Sequence, residues 1–329
     1  MARSASASKT TPPLSAATSA ASAPPATELA ALVARLRKYE LRLRQAVQTQ
    51  APGARLSVFR GTGLEFADVR PYQYGDDVRL IDWNVSAKSH GTFTRTYREE
   101  REQQVVLVLD VSASQRLGPP GRRKLDVARE IGGVLALVAA RQQARLGLVA
   151  VSDRLEAWLP PDKGLPAAYR LIKTLYALRP QSPRTHLATA IRRTLGVVRR
   201  RSLVVVLSDL LDADFERELR MLARTHELVV LHLLDEARER RLPNLGIVPV
   251  RDPETGRVTW RNTSGPTFRA HLEASEARQQ AIGQTCRRAG ARLLTVPVEA
   301  DFLPVLVELL VGRGTVNTEI APVVGAETR

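Results

Sequence analysis

The sequence predicts an α/β protein built on a doubly wound, mostly parallel sheet. Ahead of it lies an N-terminal extension that holds a helix and short β segments. Three observations carry this reading. Val- and Leu-rich runs of five to eight residues recur from residue 103 onward, as strands buried on both faces require. Stretches of ten or more residues with helical apolar spacing separate most of them. One run, Val105–Ser114 (VVLVLDVSAS), ends in a polar cluster, and the carboxyl edge of a parallel sheet is where such folds bind ligands.

Residues 1–27 are almost entirely Ala, Ser, Thr and Pro and read as a disordered tail that cannot bury apolar area. Across 28–50, Leu29, Leu32, Leu36, Tyr39 and Leu43 recur at helical spacing and predict an amphipathic helix. Residues 51–102 combine Gly, aromatics and short β-like pieces around the polar string GDDVRLIDWNVSAKSHG. The main domain is expected over 103–312. Its strands are placed at Val105–Asp110, Arg145–Ser152, Leu155–Leu159, Leu203–Ser208, Leu228–Leu234 and Arg292–Pro297. Its helices are placed at Lys124–Arg141, Leu165–Ala177, Leu187–Val198, Phe215–Arg224, Phe268–Ala289 and Phe302–Val311. Strands joined by helices of this length form right-handed βαβ units. The stretch 244–263 breaks the rhythm, and Pro253-Glu254-Thr255-Gly256 reads as the turn of an inserted β-hairpin. Residues 313–329 form a C-terminal tail.

Composition narrows the function. The single cysteine, Cys286, excludes an internal disulfide and Cys-based zinc sites, and it fits a reducing compartment. No apolar run approaches the roughly 20 residues a membrane helix needs, and the N-terminus lacks the order of a secretory signal. A soluble, cytoplasmic protein is expected. The net charge is +15, from 49 basic and 34 acidic residues, and all but six of the basic residues are Arg. The Arg residues are scattered in pairs such as Arg122-Arg123 and Arg287-Arg288. The densest cluster, Arg199-Arg200-Arg201, has no interleaved aromatics on which bases could stack. Nucleic-acid binding through the basic surface is therefore an alternative rather than the expected role.

The chemistry gathers at strand ends. Asp110, Ser112 and Ser114 follow one strand and form a hard, oxygen-only ligand set suited to Mg²⁺. The same residue types also end strands as ordinary turn formers. Asp209 is a second carboxylate at the end of another strand. Thr185 lies near the start of a helix, where a lone Thr is by default an N-cap. Two carboxylates brought together without a cation would repel each other.

Enzyme signatures are weak. Gly118–Lys124 has neither the spacing nor the Ser or Thr of a P-loop. An aspartyl-phosphate enzyme would favour an acid two residues after Asp110, where Ser112 stands. No His-Glu-x-x-His or similar cluster exists, and Ser112 and Ser208 lack an evident base, with His186 the one His near the proposed site.

The set Asp110-x-Ser112-x-Ser114, Thr185, Asp209 resembles the metal-ion-dependent adhesion site of von Willebrand factor A domains. The string Tyr74–Lys88, with Gly75, Asp76, Arg79, Asp82 and Trp83, resembles the signature of the bacterial domain-of-unknown-function family 58, whose members carry a von Willebrand factor A-like domain. The acidic Glu99-Glu100-Arg101-Glu102 also matches, and the resemblance covers about residues 51–300. Many relatives have membrane helices before the motif; none is expected in this sequence.

The resemblance implies that Ser112 and Ser114 bind Mg²⁺ or Mn²⁺ directly. Thr185 would bind directly or through water, and Asp110 and Asp209 would supply charge partly through waters. It also implies an open coordination position, filled by an acidic side chain of a partner. Gly or Asp often follows the Thr in relatives; here His186 does and could alter access. The implied role is a non-enzymatic interaction module that works with a MoxR-type AAA+ ATPase and with client proteins in the assembly or maturation of complexes. The alternative from another class is a Mg²⁺-dependent phosphoryl-transfer enzyme. In the signature string, Asp76, Asp77, Arg79, Asp82 and Lys88 read as a solvated, salt-bridged loop that clamps against the A domain with Trp83 as a core anchor, or as a partner surface.

Overall fold

The structure, a computed structural model, describes residues 26–50, 64–88, 91–99, 104–119, 121–212, 214–239, 245–264 and 266–311. The expected tails therefore lie mostly outside the described residues, as does Glu100-Arg101-Glu102. Helix α1 spans Ala26–Gln50, so Ala26 and Thr27, expected in the disordered tail, are helical. An antiparallel ribbon of β1 (Leu64–Pro71) and β2 (Phe93–Glu99) follows, with the short helix α2 (Trp83–Lys88) between its strands.

The central sheet has six strands. They are β3 (Gln104–Asp110), β4 (Arg145–Val151), β5 (Leu155–Asp162), β6 (Leu203–Ser208), β7 (Glu227–Leu234) and β10 (Arg292–Pro297). Their order is β10-β7-β6-β3-β4-β5. All pairs are parallel except β4–β5. Only Ser152, Asp153 and Arg154 separate β4 from β5, too few for the crossover a parallel pair needs. β5 therefore turns back as an antiparallel edge.

Alternation along the strands divides the core into two halves. Val105, Leu107 and Leu109 face one half, with α1, α3 (Lys124–Arg141), α4 (Gly164–Ala177) and α9 (Leu303–Val311). Val106 and Val108 face the other, with α5 (Leu187–Val197), α6 (Glu216–Thr225) and α8 (Pro266–Ala289). Every residue from Val105 to Asp110 is buried, which is why the run shows no polar alternation. Helix α1 crosses α3 at Gly133, where a Cβ would stand 2.6 Å from Leu36 Cδ1. A side chain at that position would force the buried Leu36 out of its place against α3.

The chain leaves β3 toward β4 on one side and reaches β6 on the other. The carboxyl ends of β3 and β6 thus flank the switch point of the winding, where the strand order reverses. After β7 come a single-turn helix α7 (Glu236–Glu239) and then the hairpin of β8 (Ile247–Arg251) and β9 (Val258–Asn262). These last two strands pair with each other and form a separate two-stranded sheet. No helix among the described residues is long and apolar enough to cross a membrane.

Candidate metal centre

The run after β3 closes into a tight loop because its side chains bond their own backbone. Asp110 Oδ1 accepts from the Ser112 amide at 3.0 Å, an Asx turn that faces both hydroxyls of the motif the same way. Ser112 Oγ and Ser114 Oγ then lie 3.0 Å apart, both buried. Adjacent ligands of an octahedral Mg²⁺ at 2.0–2.1 Å are separated by about 2.9 Å, so this pair has the spacing of one edge of that shell.

Asp209 joins from the end of β6. Its neighbour Ser208 donates to Asp110 Oδ2 at 2.9 Å and so ties the two strand ends together. Leu210, directly after Asp209, takes a left-handed φ of 53°, uncommon for a bulky residue, and turns the chain sharply there. Burial, and then the nearby Asp209 charge, pushes the Asp110 carboxyl up to about 6. Desolvation is the larger cause and repulsion between the carboxylates the smaller, and a divalent cation offsets both. Among the described residues, no three His, Cys, Asp or Glu side chains could hold a metal by themselves. A cation here depends on the hydroxyls, and this donor set fits Mg²⁺ or Mn²⁺.

The loop that carries Thr185 is stitched to the same edge. Pro183 O accepts from the Ala113 amide at 2.9 Å, between the two motif serines, and Arg184 O accepts from the Asp153 amide at 3.0 Å. Thr185 is not the N-cap of α5, contrary to the default expected for a lone Thr. His186 holds that position, with Nδ1 accepting from the Thr189 amide at 3.2 Å. The cap therefore leaves the Thr185 hydroxyl free for other work, and it donates to Glu254 Oε1 at 2.6 Å.

Three partners are not evident in the sequence. Lys124, the first residue of α3, is buried, and its ammonium lies 3.0 Å from Asp209 Oδ2 and 2.6 Å from Glu239 Oε1. The two carboxylates hold its proton on, against the burial that would remove it. Gln115 Nε2 approaches Asp110 Oδ2 at 3.4 Å, while its Oε1 is buried without a partner. His232, level with Ser208 on β7, is pushed down to about 4 by burial and is neutral at pH 7. Lys124 was legible only as the Lys of a failed P-loop. Its position at the start of a helix above the same sheet edge was the available signal.

The hydroxyls and the histidine singled out in the sequence are engaged elsewhere. Ser112 pairs with Ser114 and Ser208 with Asp110, whereas His186 serves as a helix cap.

The signature string is locally self-satisfied. Gly75 turns the chain with φ +104°. Asp76 pairs with Arg70 at 2.7 Å and accepts from the Gln73 amide at 2.9 Å, and the guanidinium holds its carboxyl below the usual range. Asp77 accepts from the Arg79 amide at 2.9 Å. Asp82 caps α2 by accepting from Asn84 and Val85. Trp83 is not a core anchor: it is 70% exposed. Asp82 turns the chain outward into α2, and the first residue of that helix faces solvent. Asp82→Ala is therefore expected to cost ~1 kcal/mol through the lost cap. Trp83→Ala should change stability by less than about 0.5 kcal/mol. Denaturant titrations of the two variants check both values.

A family model described as "Protein of unknown function DUF58" matches residues 68–282. The chain belongs to this family. An uncharacterized protein of Mycobacterium tuberculosis is 31% identical to this DUF58 chain over 287 residues, which is 86% of this chain and 90% of the relative. Among solved structures, an aerotolerance-related membrane protein from Bacteroides fragilis is 15% identical, with a TM-score of 0.41. The similarity covers 63% of this chain and 96% of that one. The VWA domain of SpRpn10 is 12% identical with a TM-score of 0.33, over 66% of this chain and 100% of that one.

Proposed function

We propose that this DUF58 protein is a non-catalytic interaction module that holds Mg²⁺ or Mn²⁺ at the β3–β6 edge and docks an acidic side chain of a partner. The observation that carries the proposal is the pair of buried hydroxyls, Ser112 Oγ and Ser114 Oγ, 3.0 Å apart beside two buried carboxylates. The serines bind the cation directly, and Thr185 completes the set from its neighbouring loop. Asp110 supplies charge at close range. Asp209 already shares Oδ2 with Lys124, so it acts on the cation more weakly, through water. A cation with so little net negative charge around it retains affinity for a further carboxylate. A MoxR-type AAA+ ATPase, the partner that the family resemblance implies, is the proposed source of that carboxylate.

The test is isothermal titration of the full chain with MnCl₂. The wild type should bind one ion, and Ser112→Ala should lose at least about tenfold in affinity, since one direct ligand is gone. A wild type that binds neither Mn²⁺ nor Mg²⁺ would sink the proposal. Mg²⁺-stimulated hydrolysis of ATP or p-nitrophenyl phosphate would instead favour the phosphoryl-transfer alternative.

A further inference from the structure

The tip of the β8–β9 hairpin reaches the candidate metal centre. Glu254 Oε1 accepts from Thr185 Oγ1 at 2.6 Å, and Oε2 accepts from the Thr185 amide at 3.3 Å. Both carboxylate oxygens thus engage one candidate ligand residue from 69 positions away in the chain. The tip is built to hold this pose. Asp252 accepts from the Glu254 and Thr255 amides at 2.9 and 3.4 Å and from the Thr255 hydroxyl at 2.6 Å. Gly256, with φ +71°, closes the turn.

We propose that Glu254 is a built-in carboxylate ligand, which fills from within the chain the position that a partner's acidic side chain takes. The inference rests on the metal-site reading above and deepens it. The spacing supports it: oxygens on neighbouring vertices of an octahedral Mg²⁺ are about 2.9 Å apart, and Glu254 Oε1 already lies near that distance from Thr185 Oγ1. Charge supports it as well. Lys124 offsets part of the charge of Asp209, leaving the site short of one carboxylate, and Glu254 restores it.

The hairpin is also suited to leaving. Its strands pair only with each other, and Ile247, Val258 and Trp260, on one face of it, are exposed, Trp260 by 70%. Every residue of β8 and β9 except Val248 is exposed, so displacing the tip costs far less than opening the sheet. A partner carboxylate therefore competes with Glu254 for one position, and the hairpin sets the threshold for docking.

The experiment uses the full chain with Mn²⁺ as the probe. Affinity is read by calorimetry, and the number of metal-bound waters by water-proton relaxation. Glu254→Ala, at an exposed turn, should bind Mn²⁺ about tenfold more weakly, through loss of one partly exposed charge. Its bound ion should carry one more water. Millimolar acetate should remove that water in the variant and leave the wild type unchanged. Asp162→Asn, at the opposite edge of the sheet, makes the same change in net charge and should behave as wild type. Equal affinity and hydration in Glu254→Ala and wild type would overturn the inference while the metal site stood. Absence of Mn²⁺ binding in both would overturn the metal-site reading and this inference with it.

Discussion

Lys124→Met is expected to destabilise the metal-free protein by about 3–5 kcal/mol at pH 7, the cost of breaking a buried ion pair from one side. The ammonium sits between Asp209 and Glu239, both within 3.0 Å, and the Lys124 and Asp209 side chains are almost fully buried. Met fills the volume of the lysine stem but leaves two carboxylates facing each other, with Asp110 nearby. The same variant should respond more strongly to Mg²⁺ than the wild type, because a cation at the edge now relieves repulsion that Lys124 previously offset. Chemical denaturation with and without about 5–10 mM Mg²⁺, above the ~10⁻⁴–10⁻³ M range of weak oxygen-ligand sites, measures both effects. A loss below about 1 kcal/mol would mean that the carboxylates reach water once the lysine is gone.

Asp110→Asn should act in the opposite direction. Burial and the Asp209 charge raise the Asp110 carboxyl from its ordinary range to about 6. A carboxyl raised on folding contributes stability that is fully present below its unfolded value and is lost as pH rises through its folded value. Between about pH 4 and pH 6, the metal-free wild type therefore loses up to about 3 kcal/mol from this group. Asn removes that loss at the cost of about 1 kcal/mol in weakened hydrogen bonds to Ser208 and Gln115. The variant should be more stable than wild type at pH 7 without metal, with a melting temperature a few degrees higher.

His232 has the opposite sign. Its folded value, pushed down to about 4, contributes stability that is present above the ordinary histidine range and lost as pH falls toward 4. In the wild type the two groups largely cancel between pH 4 and 6.5. In Asp110→Asn the His232 limb is unmasked, and stability should fall steeply on acidification. Denaturant midpoints at pH 4.5 and 7 separate the cases. A wild type and variant with parallel pH profiles would show that Asp110 is not the group that titrates.

The layered fold was legible because burial on both faces writes itself locally. VVLVLD and LVVVLS carry no polar alternation, and the helices between them carry their apolar residues at helical spacing. The same reading named Asp110, Ser112, Ser114 and Asp209, since strand ends are local features. What it missed depends on which strands become neighbours. Lys124 meets Asp209 across 85 residues and Thr185 meets Glu254 across 69, and no periodicity encodes such a meeting. The antiparallel β5 was hidden in the shortness of a three-residue connection. His186 rather than Thr185 holds the helix cap, and Thr185 is engaged from outside its own helix. Of the two readings of Trp83, the core anchor failed for a related reason. A large aromatic residue is usually a core residue, and only the Asp82 cap decides that α2 presents it to solvent.

The first and last described helices close the same half of the core. Leu36, Leu43 and Val47 of α1 lie in one cluster with Leu306 and Leu310 of α9, and the rings of Tyr39 and Phe302 approach to 5.1 Å. During synthesis α1 emerges about 250 residues before α9, one of the two helices that cover it. Chain growth at ~5–20 residues per second leaves its apolar stripe without that cover for tens of seconds. Completion of the core is thus a late event that draws the two ends of the domain together, and nascent chains stalled before α9 present the α1 stripe to chaperones.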